Sequence, residues 1–277
     1  MLRLKAYAKI NLSLGISGLR PDGYHELNSL MQSVSLADQI TLTETPSGIQ
    51  LATTNLKLPN DQRNLAYKAA ALFCQIQSSK FKINNCGVKI YIEKNIPLAA
   101  GLAGGSADAA AVLFGLNQMT GGRLKRDELM KLGEQIGSDV PFCLTGGNCT
   151  VTGRGEHVKR TPFHGKRHFV LVTPDVEVPT KWAYEAFDQQ PATRDSRPGT
   201  KNDLEAVVIK KYPIIQKVKE RLVELGASYA QMSGSGPTVF GIVPDRATAE
   251  LIVATLKPEF PRSYAVESVD AGIAEIS

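Results

Sequence analysis

Little in this chain of 277 residues suggests a metal centre, a disulfide framework or a membrane anchor. Its four cysteines, Cys74, Cys86, Cys143 and Cys149, form no C-x-x-C pair and share no metal-ligand spacing with the four histidines. Free, packed thiols in a reducing cytoplasm are the expected state. No apolar run approaches the roughly eighteen residues of a membrane span. Met1 to Lys9 alternates polar and apolar residues, so it does not read as a secretion leader. Aromatic residues make up only 6% of the chain and no long basic run occurs, which removes the usual signs of a nucleic-acid partner. A Gly-x-x-x-x-Gly-Lys-[Ser/Thr] loop and a Gly-x-Gly-x-x-Gly fingerprint are both missing, which disfavours the two commonest nucleotide folds.

What is present describes a folded, mildly basic protein. The apolar fraction is 43% and the charged fraction 21%, near globular averages. Thirty-two Lys and Arg against twenty-seven Asp and Glu leave a net charge of +5, which suits an anionic small ligand. Leu2, Leu4, Ala6, Ala8, Ile10, Leu12, Leu14 and Ile16 fall on one side of a period-2 ladder, with Lys9, Asn11 and Ser13 opposite, as in a half-buried strand. Arg20-Pro21-Asp22-Gly23 then reads as a turn.

Strands are expected at Ile40–Leu42, at Ile49 and Leu51, and at Val88–Ile92, with helices at Leu65–Ile76, Ser106–Met119 and Asp127–Ile136. The last two helices each open with a residue able to cap free N–H groups. Beyond Gly155 the order is strand (His168–Thr173), helix (Lys181–Phe187), a polar stretch (Gln189–Thr200), helices near Leu204 and at Ile214–Leu225, strands Ser228–Met232 and Thr238–Val243, helix Arg246–Leu256, and strand Tyr264–Val269. That β-α-β-β-α-β order is a split βαβ unit with helical insertions. The fold class is α+β with two domains, 1–160 and 161–277.

Chemistry concentrates in Pro97-Leu98-Ala99-Ala100-Gly101-Leu102-Ala103-Gly104-Gly105-Ser106-Ala107, between a strand and an alanine-rich helix. Glycines there allow tight turning, and a helix start offers unpaired N–H groups and a positive dipole end, which together bind phosphate. A second small-residue turn, Met232-Ser233-Gly234-Ser235-Gly236-Pro237-Thr238, lies between two expected strands and alone reads as an ordinary hairpin connection. Asp139, alone, reads equally as a helix N-cap, and Lys9 as a solvated strand residue.

Together with Ala6-Tyr7-Ala8-Lys9-Ile10-Asn11-Leu12, these two turns resemble the three motifs of the GHMP kinases. Arg20 to His25, Arg63-Asn64-Leu65, Gly137 to Phe142 and Asn202-Asp203-Leu204-Glu205 further resemble the diphosphocytidyl-methylerythritol kinases within that superfamily. Ala99, Ala100 and Ala103 depart from it, standing where glycine is frequent. The resemblance implies a ribosomal-protein-S5-domain-2-like N-terminal domain, a ferredoxin-like C-terminal one, and transfer of the ATP γ-phosphate to a cytidyl sugar-alcohol on the non-mevalonate isoprenoid route, with Mg²⁺. It implies Asp139 as catalytic base with Lys9 as its cationic partner. The cytosine would lie between Tyr24 and Tyr184 with His25 at its edge, and Asn11 and Thr180 would touch the sugar-alcohol end or phosphates. Adenine would lie near Asn64 and Lys94. Two other readings stay open. One is a GHMP kinase with another acceptor, such as homoserine or phosphomevalonate, in which Tyr24, His25 and Tyr184 would have no base to hold. The other is a non-catalytic ligand sensor or RNA-binding protein, against which the joint presence of Lys9, Asp139 and the loop argues.

Overall fold

The opening ladder forms strand β1 (Leu2–Leu19) in the computed structural model, which describes residues 1–81, 86–162, 165–190 and 201–276. It does not face one core. Register shifts against β2 (His25–Thr45) at Tyr7/Ala8, Asn11/Ser13 and Ile16/Gly18 re-aim successive parts of the strand. Leu2, Leu4 and Ala6 pack in one core, Ala8 and Ile10 in a layer shared with residues of the second sheet, and Leu14 and Ile16 in a third cluster. An inserted residue breaks the pairing and bends the strand, so one period-2 pattern serves three clusters. The polar face is covered as well: Lys9, Asn11 and Ser13 are all buried.

The chain continues through β3 (Ile49–Thr53), α1 (Leu65–Phe81), β4 (Gly87–Glu93), α2 (Gly104–Met119), α3 (Arg126–Ile136), α4 (Val140–Thr145), β5 (Asn148–Gly153) and β6 (His157–Arg160). Next come β7 (His168–Val172), α5 (Thr180–Asp188), α6 (Glu205–Lys211), α7 (Ile214–Glu224), β8 (Tyr229–Met232), β9 (Val239–Val243), α8 (Arg246–Leu256), β10 (Ser263–Glu267) and β11 (Ile273–Glu275). The first sheet has the order β11-β1-β2-β4-β3, with β5 paired to the start of β2 and β6 to β5. The second is antiparallel, β10-β7-β9-β8. Within its own half that is the interleaved order of a ferredoxin-like split βαβ unit. β11 pairs with β1, so the last strand lies on the first sheet and not with its sequence neighbours.

Helix α2 is buried on nearly every side, including Ala107, Ala109, Ala110, Ala111, Val112 and Leu113, because it packs on β1 and β2 as well as on α1 and α4. A Cβ on Gly115 would stand 2.5 Å from a methyl of Leu42, so glycine lets the helix sit this close to the sheet.

Three sequence expectations need correction. Helix α2 begins at Gly104, two residues before Ser106, with Ala103 as N-cap and no side-chain cap bond. Neither does a side chain cap α3: its first turn is closed the other way, by Glu128 accepting from the Lys125 N–H at 2.8 Å. Cys74 and Cys86 are joined by a disulfide between α1 and the residue before β4, while Cys143 and Cys149 are free and buried. The polar stretch expected at Gln189–Thr200 lies, from residue 191 on, outside the described residues.

Candidate active site

The glycine-rich turn closes a cavity of about 710 Å³. Ala99, Gly101 and Ala103 all take positive φ, +49°, +74° and +58°. Two of these left-handed positions thus carry a methyl group, at a cost of about 1–2 kcal/mol each. Gly101 has no such latitude: a Cβ there would stand 2.2 Å from the Ser233 carbonyl oxygen. Ala103 gives α2 no side-chain cap, and Gly104, Gly105 and Ser106, whose N–H groups open the helix, line the cavity.

Hydrogen bonds stitch the three motifs together. Lys9 N–H donates to the Leu102 carbonyl at 3.1 Å, and Thr238 N–H to the Ala100 carbonyl at 3.4 Å. The Ser233 hydroxyl donates to the Gly101 carbonyl at 3.0 Å and accepts from Asn11 N–H at 3.1 Å. The Asn202 amide in turn donates to the carbonyls of Met232 and Gly234, at 2.9 and 2.7 Å. Glu205 accepts from Met232 N–H at 3.0 Å, and Asp203 from Ile16 N–H at 2.8 Å. The Asn202 to Glu205 element is therefore a brace for the third motif. Gly234 and Ser235 line the cavity, whereas Ser233 is fully buried and a Cβ on Gly236 would stand 2.7 Å from the Met232 sulfur. Leu102 and Ala107, predicted as part of the phosphate loop, are core residues beneath it.

Lys9 and Asp139 meet at the cavity wall. The ammonium stands 3.7 Å from an Asp139 carboxylate oxygen and donates to the Asn11 side-chain oxygen at 2.6 Å. Asn11 donates onward to the Ser29 hydroxyl at 2.9 Å. Asp139 does occupy the N-cap position of α4, yet its carboxylate makes no capping bond and remains 32% exposed. The bland reading of this residue fails on geometry: the side chain is available to a ligand. Next to it, burial pushes the Tyr184 phenol well above its usual range, and the Asp139 charge adds to the shift.

Tyr184 stacks on His25, with centroids 4.9 Å apart and planes tilted by 30°. The His25 Nε2 lies 2.9 Å from an Asp188 carboxylate oxygen, one turn along α5 from Tyr184. Tyr24 is 52% exposed, with the Arg154 guanidinium 5.3 Å from its ring. Tyr184 and Thr180 line the cavity; Tyr24 and His25 do not. Thr180 shares a hydroxyl contact of 3.0 Å with Ser235.

On the predicted adenine side, Asn64 lines the cavity but commits its side chain locally. It caps α1 by accepting from Ala66 N–H at 2.9 Å and donates to the Pro59 carbonyl at 3.0 Å. Lys94 is only 1% exposed, its ammonium bound between the carboxylates of Asp38 and Asp108. Sequence reasoning missed both acids. Asp108 carried the signal, a lone charge amid alanines on a helix too apolar to face water.

Sequence and structure comparisons agree with this fold. The GHMP kinases N terminal domain matches residues 64–147, and the GHMP kinases C terminal domain matches 189–262. A 4-diphosphocytidyl-2-C-methyl-D-erythritol kinase of Clostridium tetani is 42% identical, covering 97% of this chain and 100% of its own. One of Moorella thermoacetica is 40% identical, covering 97% and 99%. Among solved structures, a 4-(cytidine 5'-diphospho)-2C-methyl-D-erythritol kinase superposes with a TM-score of 0.82 at 32% identity, over 96% of this chain and 98% of that one. A homoserine kinase from Cytophaga hutchinsonii shares the fold, with a TM-score of 0.75 at 20% identity over 99% and 97%. The chain belongs to the GHMP kinases and, within them, to the 4-diphosphocytidyl-2-C-methyl-D-erythritol kinase family.

Proposed function

We propose that this protein transfers the γ-phosphate of ATP to the 2-hydroxyl of 4-diphosphocytidyl-2-C-methyl-D-erythritol, a step of the non-mevalonate route to isoprenoid precursors. The observation that carries the reading is the Lys9–Asp139 pair, which opens onto the same cavity as the uncapped start of α2. Asp139 accepts the hydroxyl proton as the oxygen attacks the γ-phosphorus, the bond to the β-γ bridging oxygen breaks, and ADP leaves. Lys9, 3.7 Å from that carboxylate, neutralises charge on the transferring oxygens. Phosphoryl transfer needs little beyond such positioning and charge.

Asp188 can only accept, so His25 donates to it through Nε2, which orients the ring and leaves Nδ1 for the edge of cytosine, with Tyr184 and Tyr24 supplying ring faces. Asn11 and Thr180 are assigned to the acceptor's sugar-alcohol end, and Asn64 and Lys94 to the adenine side of the cavity. Mg²⁺ is assigned to the triphosphate and not to a protein cage, because no cluster of three His, Cys, Asp or Glu suited to a metal occurs among the described residues. Asp139 and Ser106 supply cavity-lining oxygens, which fits an ion held mostly by phosphates and water. When bound, the ion would supply positive charge to the triphosphate.

No helix among the described residues is long and apolar enough to cross a membrane. The cytoplasm is the proposed compartment. The test is ADP release from Mg-ATP with 4-diphosphocytidyl-2-C-methyl-D-erythritol, mevalonate, phosphomevalonate and homoserine offered in parallel. Turnover on the cytidyl substrate alone is expected; turnover on another acceptor would overturn the substrate assignment, and none on any would overturn the kinase.

A further inference from the structure

The connection from β4 into the phosphate loop is held by one buried carboxylate. Asp38, fully buried on β2, accepts through Oδ1 from the N–H groups of Asn95 at 2.6 Å and Ile96 at 2.9 Å, the two residues before Pro97. Its Oδ2 accepts from the Lys94 ammonium. The same ammonium donates at 2.7 Å to Oδ2 of Asp108, in the second turn of α2. It also packs under the first residue of that helix, 3.3 Å from where a Cβ on Gly104 would stand. The loop is therefore gripped at its entry by Asp38 and at its exit by Asp108, with Lys94 joining the grips. Asn95 adds a side-chain bond of 3.0 Å to the Ala37 carbonyl.

Two carboxylates face one ammonium here, and the second oxygen of Asp108 has no hydrogen-bond partner among the described residues. Burial, reinforced by the Asp38 charge, pushes the Asp108 carboxyl well above its usual range, against the opposing pull of Lys94. For Lys94 burial pulls downward, but the charges of Asp108 and Asp38 outweigh it and the net direction is upward. The ammonium stays charged.

We propose that Asp38, Lys94 and Asp108 form a buried clamp that sets the opening of the phosphate loop against the start of α2, making Asp38 and Asp108 positioning residues for the nucleotide. This rests on the reading that the loop takes the triphosphate of ATP. Neither acid needs to touch ATP. Both act by fixing where Gly101 and the free N–H groups of Gly104 to Ser106 stand relative to one another, and preorganised donors of this kind lose their worth when displaced by about an ångström.

The experiment is calorimetric titration of the folded full chain with AMP-PNP and Mg²⁺, and separately with 4-diphosphocytidyl-2-C-methyl-D-erythritol. For Asp108→Ala, AMP-PNP affinity is expected to fall at least about tenfold while cytidyl-substrate affinity stays within about twofold. Asp108→Asn keeps an acceptor for Lys94 and is expected to restore most of the loss. Should Asp108→Ala not fold, Asp108→Ser, too short to reach Lys94, carries the same comparison. Unchanged AMP-PNP affinity in the alanine or serine variant, or equal weakening of both ligands, would reduce the three residues to a general fold contact and overturn the proposal. Failure of the parent chain to bind AMP-PNP would overturn the nucleotide reading itself, and the clamp with it.

Discussion

The two halves of the cavity are built on opposite plans. At the phosphate loop the proposed binding groups are backbone N–H donors, and the side chains nearby, Ser233, Asn202, Asp38 and Asp108, are buried braces that hold the backbone in place. At the proposed cytidyl side the candidate groups are side chains: Tyr184 on α5 lines the cavity, while His25 at the start of β2 and the half-exposed Tyr24 before it stand beyond the lining. A backbone site tolerates residue changes but not displacement. A side-chain site tolerates displacement better than it tolerates changes of identity.

Breaking the backbone half should have the larger effect on folding. Gly101→Ala places a methyl against the Ser233 carbonyl at a positive φ, so a loss of roughly 2 kcal/mol or more is expected, read by denaturant unfolding, together with loss of AMP-PNP binding. A variant as stable as the parent would show that the third motif is free to move away. Breaking the side-chain half should separate the two ligands. Tyr184→Ala removes a stack worth about 1–3 kcal/mol, so KM for the cytidyl substrate should rise roughly 5- to 150-fold with KM for ATP within about twofold. Equal changes in both would put Tyr184 in the shared scaffold.

The electrostatics of the backbone half give a smaller, pH-dependent effect. The Asp108 carboxyl is raised in the folded state, so between its ordinary and its raised value the native chain binds more protons than the unfolded one. Stability attributable to this group is therefore present at acid pH and falls as pH rises through that window. Asp108→Asn should flatten this part of the stability-versus-pH curve, and an unchanged slope would place the titration elsewhere. Smallest of all, Ala103→Gly should relieve the left-handed strain at the N-cap of α2 and raise stability by about 1 kcal/mol in the same unfolding assay. A loss would mean that the methyl group packs usefully.

The same contrast explains what could be read from sequence. The phosphate loop is legible because glycines and alanines before an alanine-rich helix have few other uses, whereas Lys9 and Asp139 take their expected roles only from the family resemblance. Much of β2 is not legible, because Gln32 and Ser33 are buried between β1 and β5 and interrupt the alternation that marks a strand. The six residues of α4 are too few to show a helical period. The Cys74–Cys86 bridge has no spacing signature, since it depends on how α1 lies beside β4. Asp38 was hidden because its partners, the N–H groups of Asn95 and Ile96, are backbone groups that any sequence would offer.

The central claim is that Asp139, uncommitted to its helix and paired with Lys9, is the base. The most direct test is ADP release from Mg-ATP and 4-diphosphocytidyl-2-C-methyl-D-erythritol by Asp139→Asn, with AMP-PNP binding measured on the same preparation. The account predicts a fall in kcat of about 10²–10⁴-fold with AMP-PNP affinity within about threefold of the parent. Near-parental kcat in the folded variant would contradict it and remove Asp139 from the chemistry.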